Sequence, residues 1–146
     1  SRREASVADS GWEHFEHEAD VGLRGWGPTR AEAYANAARA LTAVITDPET
    51  VRPAGPVAVA VAAPDPELLL VEWLDALIYE MATRGMLFTR YEVALTANGL
   101  TGTAWGEPMD GARHQPAVEV KGTTLTALRV VQRADGSWLA ECVVDV

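Results

Sequence analysis

The stretch that decides the fold is Asp65-Pro66-Glu67-Leu68-Leu69-Leu70-Val71-Glu72-Trp73-Leu74-Asp75-Ala76-Leu77-Ile78-Tyr79-Glu80-Met81. Aspartate as cap and proline in the first turn open a helix, because both suit backbone amides that have no partner inside it. Leu70, Trp73, Leu74, Leu77, Ile78 and Met81 recur at helical spacing, and Leu68, Leu69 and Val71 widen the apolar face. So continuous a stripe predicts a core helix, and Gly85 predicts its end. Upstream, Val57, Val59, Val61 and Ala63 alternate with alanines, which predicts a strand packed on both faces. Downstream, Tyr91, Val93, Leu95 and Ala97 alternate up to Asn98-Gly99, a strong hairpin signal. Thr101, Thr103 and Trp105 then share one side of the return strand.

Further out, Trp12 to Trp26 suits two short strands, with a bend at Asp20 to Gly22 where glycine gives the backbone freedom. Pro28 and Thr29 open a first helix, and Thr29 and Glu32 have the spacing of a capping box. Tyr34, Ala37, Ala38, Leu41, Val44 and Ile45 form its buried stripe, and it must stop before Asp47-Pro48. Pro108 to Pro116 reads as a polar loop and 118–132 as one long strand. A turn at Asp135-Gly136 leads into the last strand. There Trp138, Ala140, Cys142 and Val144 share one face, with Leu139, Glu141, Val143 and Asp145 on the other. The order is two strands, helix, strand, helix and four strands, which is an α+β fold.

At 146 residues the chain has the size of one domain with a real core. Residues 1–11 are polar and aperiodic and read as a flexible tail, so the domain runs from 12 to 146. The formal net charge of −9 disfavours direct binding to nucleic acid or to a membrane surface. The single cysteine excludes an internal disulfide and a cysteine-built zinc site, which suits a reducing cytoplasm. No apolar run is long enough for a membrane span, and no signal peptide is visible.

Candidate chemistry gathers in three places. His17-Glu18-Ala19-Asp20-Val21-Gly22 packs an imidazole, two carboxylates and a glycine into six residues, although a polar strand end with a turn looks the same. The loop carries Glu107, Asp110 and His114, for which solvated polar residues are the simpler reading. Glu119-Val120-Lys121 opens the next strand with charges that suit a surface ion pair. The apolar alternation of the last strand runs to Val144, so Asp145 and Val146 are expected to be docked rather than frayed. Carboxylates brought together repel one another unless a proton or cation joins them. Oxygen-only donors select hard cations. Cys142 falls on an apolar strand face and reads as a core residue. Gly22, Gly25 and Gly27 form no dinucleotide or phosphate-binding motif.

Taken in order, several blocks resemble the archease family, small acidic proteins that assist the RNA-splicing ligase joining tRNA halves. The blocks are 17–22, Leu70-Val71-Glu72-Trp73-Leu74, Gly85-Met86-Leu87-Phe88, Gly106-Glu107 with Asp110 and His114, Glu119-Val120-Lys121, and Val143-Val144-Asp145-Val146. The resemblance implies a single domain of small antiparallel or mixed sheets flanked by two main α-helices. It implies a divalent-cation site at Asp20, Asp145 and Val146, for Ca²⁺ first, with Mg²⁺ or Mn²⁺ as alternatives. His17, Asp110, His114 and Lys121 would line that site and face the partner. The partner would be the ligase, and the chain a non-catalytic activator promoting guanylylation and multiple turnover. Two alternatives stand beside this: a metal-dependent phosphoester hydrolase using His17 or His114 as acid or base, and a general chaperone. The sequence departs from the family at Leu125 and Thr126, where an aromatic and a histidine are usual, and at Gly122, where alanine is usual.

Overall fold

The structure, a computed structural model, describes residues 9–146; residues 1–8, most of the expected tail, lie outside the described residues. The element order is β1 Gly11–His17, β2 Asp20–Gly27, α1 Arg30–Ile45, a 3-10 turn Pro48–Thr50, β3 Gly55–Ala62, α2 Pro66–Arg84, β4 Met86–Leu95, β5 Gly99–Pro108, the one-turn helix α3 Gly111–His114, β6 Gly122–Thr123, β7 Arg129–Gln132 and β8 Trp138–Asp145. Two antiparallel sheets result, one of five strands in the order β1-β2-β8-β6 with β7 also on β8, and one of three in the order β3-β5-β4. Helices α1 and α2 touch both sheets, so the core lies between them. No helix among the described residues is long and apolar enough to cross a membrane.

Helix α2 begins and ends where its sequence requires. Asp65 caps it by accepting the Leu68 N–H at 2.8 Å, and Gly85 ends it in the left-handed region at φ 64°. Trp73, Leu74 and Leu77 are fully buried, whereas Ile78 is half-buried. Ile78 lines a groove of about 410 Å³ with Ile45, Met81, Met109 and Val118. The Trp73 indole N–H donates to the Tyr34 carbonyl at 3.0 Å, and the Tyr34 hydroxyl donates to the Pro66 carbonyl at 2.7 Å, so each large aromatic satisfies its polar end. Helix α1 starts at Thr29, whose hydroxyl accepts the Glu32 N–H at 3.1 Å. The return arm of the expected capping box is not made; the Glu32 carboxylate turns to Ser10 and Arg39. Helix and sheet approach closely at Gly25, where a Cβ would lie 2.3 Å from the Ala37 nitrogen.

Four expectations need correction. The bend near the N-terminus falls at Glu18-Ala19, with Glu18 at φ 56°, and Gly22 sits inside β2. Gly22 is required by close approach, because a Cβ there would lie 2.3 Å from the Phe15 ring. In β3 the valines face the core but Ala58, Ala60 and Ala62 are exposed, so only one face is packed. The long strand expected over 118–132 is two short pieces, β6 and β7, separated by a loop in which Ala127 takes φ 53°. Finally, 108–116 is exposed over most of its length but is not all loop: it contains α3, and His114 is buried.

Candidate functional site

The five-stranded sheet carries its polar groups as rungs across the strands. Residues directly opposite one another share a face, and the register fixes which ones. One rung runs Glu13, Arg24, Glu141, Arg129 across β1, β2, β8 and β7. Its charges alternate and pair, with Arg24 Nε donating to Glu141 at 2.7 Å and Arg129 Nε to the other Glu141 oxygen at 3.3 Å. The next rung is apolar: Phe15, Gly22 and Val143 lie opposite one another, and the Arg24 guanidinium stacks 4.6 Å from the Phe15 ring centre.

A third rung follows at the sheet end. His17 pairs with Asp20 across the β1–β2 hairpin, and Asp145 pairs with Gly122 of β6. The last β2–β8 pair is Val21 with Val144, so one further step sets Asp20 against Asp145 on the face that holds Gly22 and Val143. Val146 follows Asp145 directly, and the Lys121 N–H donates to the Asp145 carbonyl at 2.8 Å. Five of the expected site residues, His17, Asp20, Lys121, Asp145 and Val146, therefore converge on one sheet end. Among the described residues neither the Asp20 nor the Asp145 carboxylate takes part in a side-chain hydrogen bond or ion pair. Asp20 is half-exposed and Asp145 exposed. Such carboxylates are free to take a cation, and their oxygens suit a hard one. No three His, Cys, Asp or Glu side chains among the described residues group closely enough to hold a metal ion by themselves. A cation here would need a main-chain oxygen such as Val146 offers.

Asp110 and His114 belong to a different cluster. The Asp110 carboxylate caps α3, accepting the Ala112 and Arg113 N–H groups at 3.1 and 3.4 Å. His114 Nδ1 accepts the Asp110 N–H at 2.8 Å, so in the neutral ring the proton sits on Nε2, which donates to Glu107 at 2.9 Å. Glu107, which lies in β5 and is buried, also accepts Arg113 at 2.6 and 3.0 Å and the Arg52 N–H at 2.8 Å. The Arg113 guanidinium, with the Arg52 N–H and His114, holds the Glu107 carboxyl far below the ordinary glutamate range, and Glu107 in turn raises Arg113. Arg113 reaches the Thr50 carbonyl at 2.8 Å and Thr46 donates to the His114 carbonyl at 2.6 Å, which stitches α3 to the end of α1. With both ring nitrogens engaged, His114 has no free nitrogen to act as general acid or base. None of the described hydrogen bonds or ion pairs links this cluster to the Asp20–Asp145 end.

Two groups escaped the sequence reading. Arg113 completes the buried cluster, and its i,i+6 spacing from Glu107 matches no regular element. Asp75, on the exposed side of α2, bonds to Thr123 of β6, a contact separated by 48 positions that only the fold reveals. Cys142 is buried, and burial pushes its thiol up to about 12, as suits a core residue.

The sequence pattern described as the Archease protein family (MTH1598/TM1083) matches residues 12–146. Protein archease of Pyrococcus furiosus is 34% identical over 139 residues, covering 92% of this chain and 98% of that protein. Protein archease of Methanopyrus kandleri is 37% identical over 139 residues, covering 92% of this chain and 99% of that one. The solution structure of Methanobacterium thermoautotrophicum protein 1598 superposes with a TM-score of 0.81 at 32% identity, covering 93% of this chain and 99% of that one.

Proposed function

The chain belongs to the archease family, and from that premise we propose that it is a metal-binding accessory protein that activates an RNA ligase of the tRNA-splicing type. At family level its role is that of an accessory protein in RNA ligation and tRNA processing. The finer reading is that it promotes the ligase's guanylylation and its multiple turnover. The observation that supports this most is the open acidic rung, in which Asp20 and Asp145 lie side by side at one sheet end and, among the described residues, neither carboxylate takes part in a hydrogen bond or ion pair. Asp20, Asp145 and Val146 would hold a divalent cation, Ca²⁺ before Mg²⁺ or Mn²⁺, which when bound neutralises the carboxylates and offers open positions to phosphate oxygens.

The chain's own residues set the rest. Its net charge of −9 keeps it off RNA and draws it to a basic surface, as the ligase's nucleotide cleft is expected to be. His17 and Lys121 flank the acidic pair and would orient phosphate groups there. Binding alone accelerates nothing; the contacts must be stronger in the reacting state than before it. The hydrolase alternative has lost His114 as its acid or base, because that ring is locked between Asp110 and Glu107.

The test is ligation with the organism's own ligase and substoichiometric amounts of this protein. Wild-type protein should raise multiple-turnover ligation and the rate of guanylylated-ligase formation, and high salt should weaken the effect. Asp20→Ala and Asp145→Ala should abolish activation with the circular dichroism spectrum unchanged. Full activation by either folded variant, or no effect of wild type, would overturn the reading. Thr126→His, restoring the family's usual residue, should raise activation if that exposed position faces the reacting groups.

A further inference from the structure

The end of β8 that carries Asp145 is gripped on both sides. On one side lies β2. On the other lies the segment 121–124, whose regular part, β6, is only two residues long. Lys121 N–H donates to the Asp145 carbonyl at 2.8 Å, and Thr124 donates to the Val143 carbonyl through its N–H at 2.9 Å and its hydroxyl at 3.0 Å. A strand this short lies below the ordinary range and offers few ladder bonds to hold itself. The Thr123 N–H does not enter that ladder. It donates to Asp75 Oδ1 of α2 at 3.0 Å, and the Thr123 hydroxyl donates to the same oxygen at 2.9 Å. Asp75 is exposed, takes part in no ion pair among the described residues, and contributes nothing to the apolar core.

We infer that Asp75 is a positioning residue: it pins 121–124 to helix α2 and thereby holds Lys121, Asp145 and Val146 in place for the cation and the partner. The inference rests on the reading of the Asp20–Asp145–Val146 end as a cation site. Asp75 acts through Thr123 and the paired strands. Its task is to accept two hydrogen bonds, and a carbonyl oxygen can do that without charge. An asparagine should therefore serve almost as well, whereas alanine removes both bonds at once.

The experiment compares wild type, Asp75→Asn and Asp75→Ala, using Ca²⁺ as the titrant in calorimetry and amide hydrogen exchange in metal-free protein. Asp75→Ala should weaken Ca²⁺ binding by roughly ten-fold or more, the usual loss when the group that orients a metal ligand is removed. Its amides at Lys121 and Thr124 should exchange faster, while those of the α2 core keep wild-type protection. Asp75→Asn should stay within about two-fold of wild type in affinity, and its exchange should be unchanged. Equal affinity and equal exchange in Asp75→Ala would overturn the positioning role alone. A loss in Asp75→Asn as large as in Asp75→Ala would overturn it too, since the charge would then be what matters. Wild type that takes up neither Ca²⁺ nor Mn²⁺ would sink the cation reading and this role with it.

Discussion

Two acidic-histidine clusters in this molecule use the same residue types to opposite ends. Around Glu107, every acceptor is engaged: one carboxylate takes Arg113, His114 and the Arg52 N–H, and the histidine has both ring nitrogens occupied. Around Asp20 and Asp145, carboxylates set side by side through strand register have neither hydrogen bond nor ion pair among the described residues. The first is a closed knot that fixes α3 against α1. The second leaves two neighbouring carboxylates without a protein partner among the described residues, and it is there that the proposed cation would bind. Counting acidic and imidazole groups in sequence does not separate the two; what separates them is whether the fold supplies the counter-charge.

The largest effect is expected from opening the closed knot. Glu107→Ala strands Arg113, His114 and the Arg52 N–H without their acceptor, so the denaturant midpoint in metal-free buffer should fall sharply. Asp20→Asn and Asp145→Asn should leave that midpoint unchanged or higher, since each removes one of two neighbouring like charges. A Glu107→Ala protein as stable as wild type would erase the contrast.

Cation binding sharpens it from the other side. A ligand that binds only the folded chain stabilises it by about 2.7 kcal/mol at a hundred-fold excess over its Kd. Ca²⁺ should deliver that shift, read as a rise in Tm, to wild type and to a folded Glu107→Gln variant, but not to Asp20→Asn. A rise in Asp20→Asn equal to that of wild type would place the cation elsewhere.

Acid titration separates the clusters again. The Glu107 carboxyl is depressed in the folded chain, so its stabilisation is fully present above the unfolded glutamate value of about 4.3. It is lost as pH falls from there through the folded value. Glu107→Gln should therefore flatten the decline of Tm below about pH 4.3 relative to wild type. Parallel curves would mean that Arg113 does not hold the carboxylate as its geometry indicates.

The smallest effect belongs to the open end. A Cβ at Gly122 would meet only Asp75 Oδ1, at 3.9 Å, and the residue does not take positive φ. Gly122→Ala should stabilise by about 0.4–1 kcal/mol through the unfolded chain. A clear destabilisation in denaturant unfolding would show that 121–124 is more tightly packed than its contacts indicate.

Much of the fold was legible because its signals are local. Asp65-Pro66, the buried leucine and tryptophan stripe and Gly85 each act within a few residues and sit where expected. The Asn98-Gly99 signal finds its hairpin, but the register puts Ala97-Asn98 at the tip and Gly99 already in β5, where a Cβ would lie 2.1 Å from the Val61 carbonyl oxygen. The 118–132 stretch misled because its apolar alternation is interrupted by backbone geometry at Ala127, which side-chain pattern does not encode. Gly22 was read as a bend, although it is a seat for the Phe15 ring, because turn glycines and close-approach glycines look alike in sequence. For the proposed site, the family resemblance is what singles out Asp20, Asp145 and Val146, whereas the docking of the last strand is legible from its alternation. Their adjacency was not legible, since it depends on β2 lying beside β8, a pairing of segments more than a hundred positions apart. Nor was the burial of Glu107 and His114, whose counter-charge Arg113 follows no helical or strand spacing.

The most direct measurement is calorimetric titration of Ca²⁺, with Mn²⁺ in parallel, into metal-free wild type, Asp20→Asn, Asp145→Asn and Glu107→Gln. One site per chain is expected in wild type, lost in both aspartate variants and retained with near wild-type affinity in folded Glu107→Gln. Unchanged affinity in Asp20→Asn and Asp145→Asn, or loss confined to Glu107→Gln, would contradict the account.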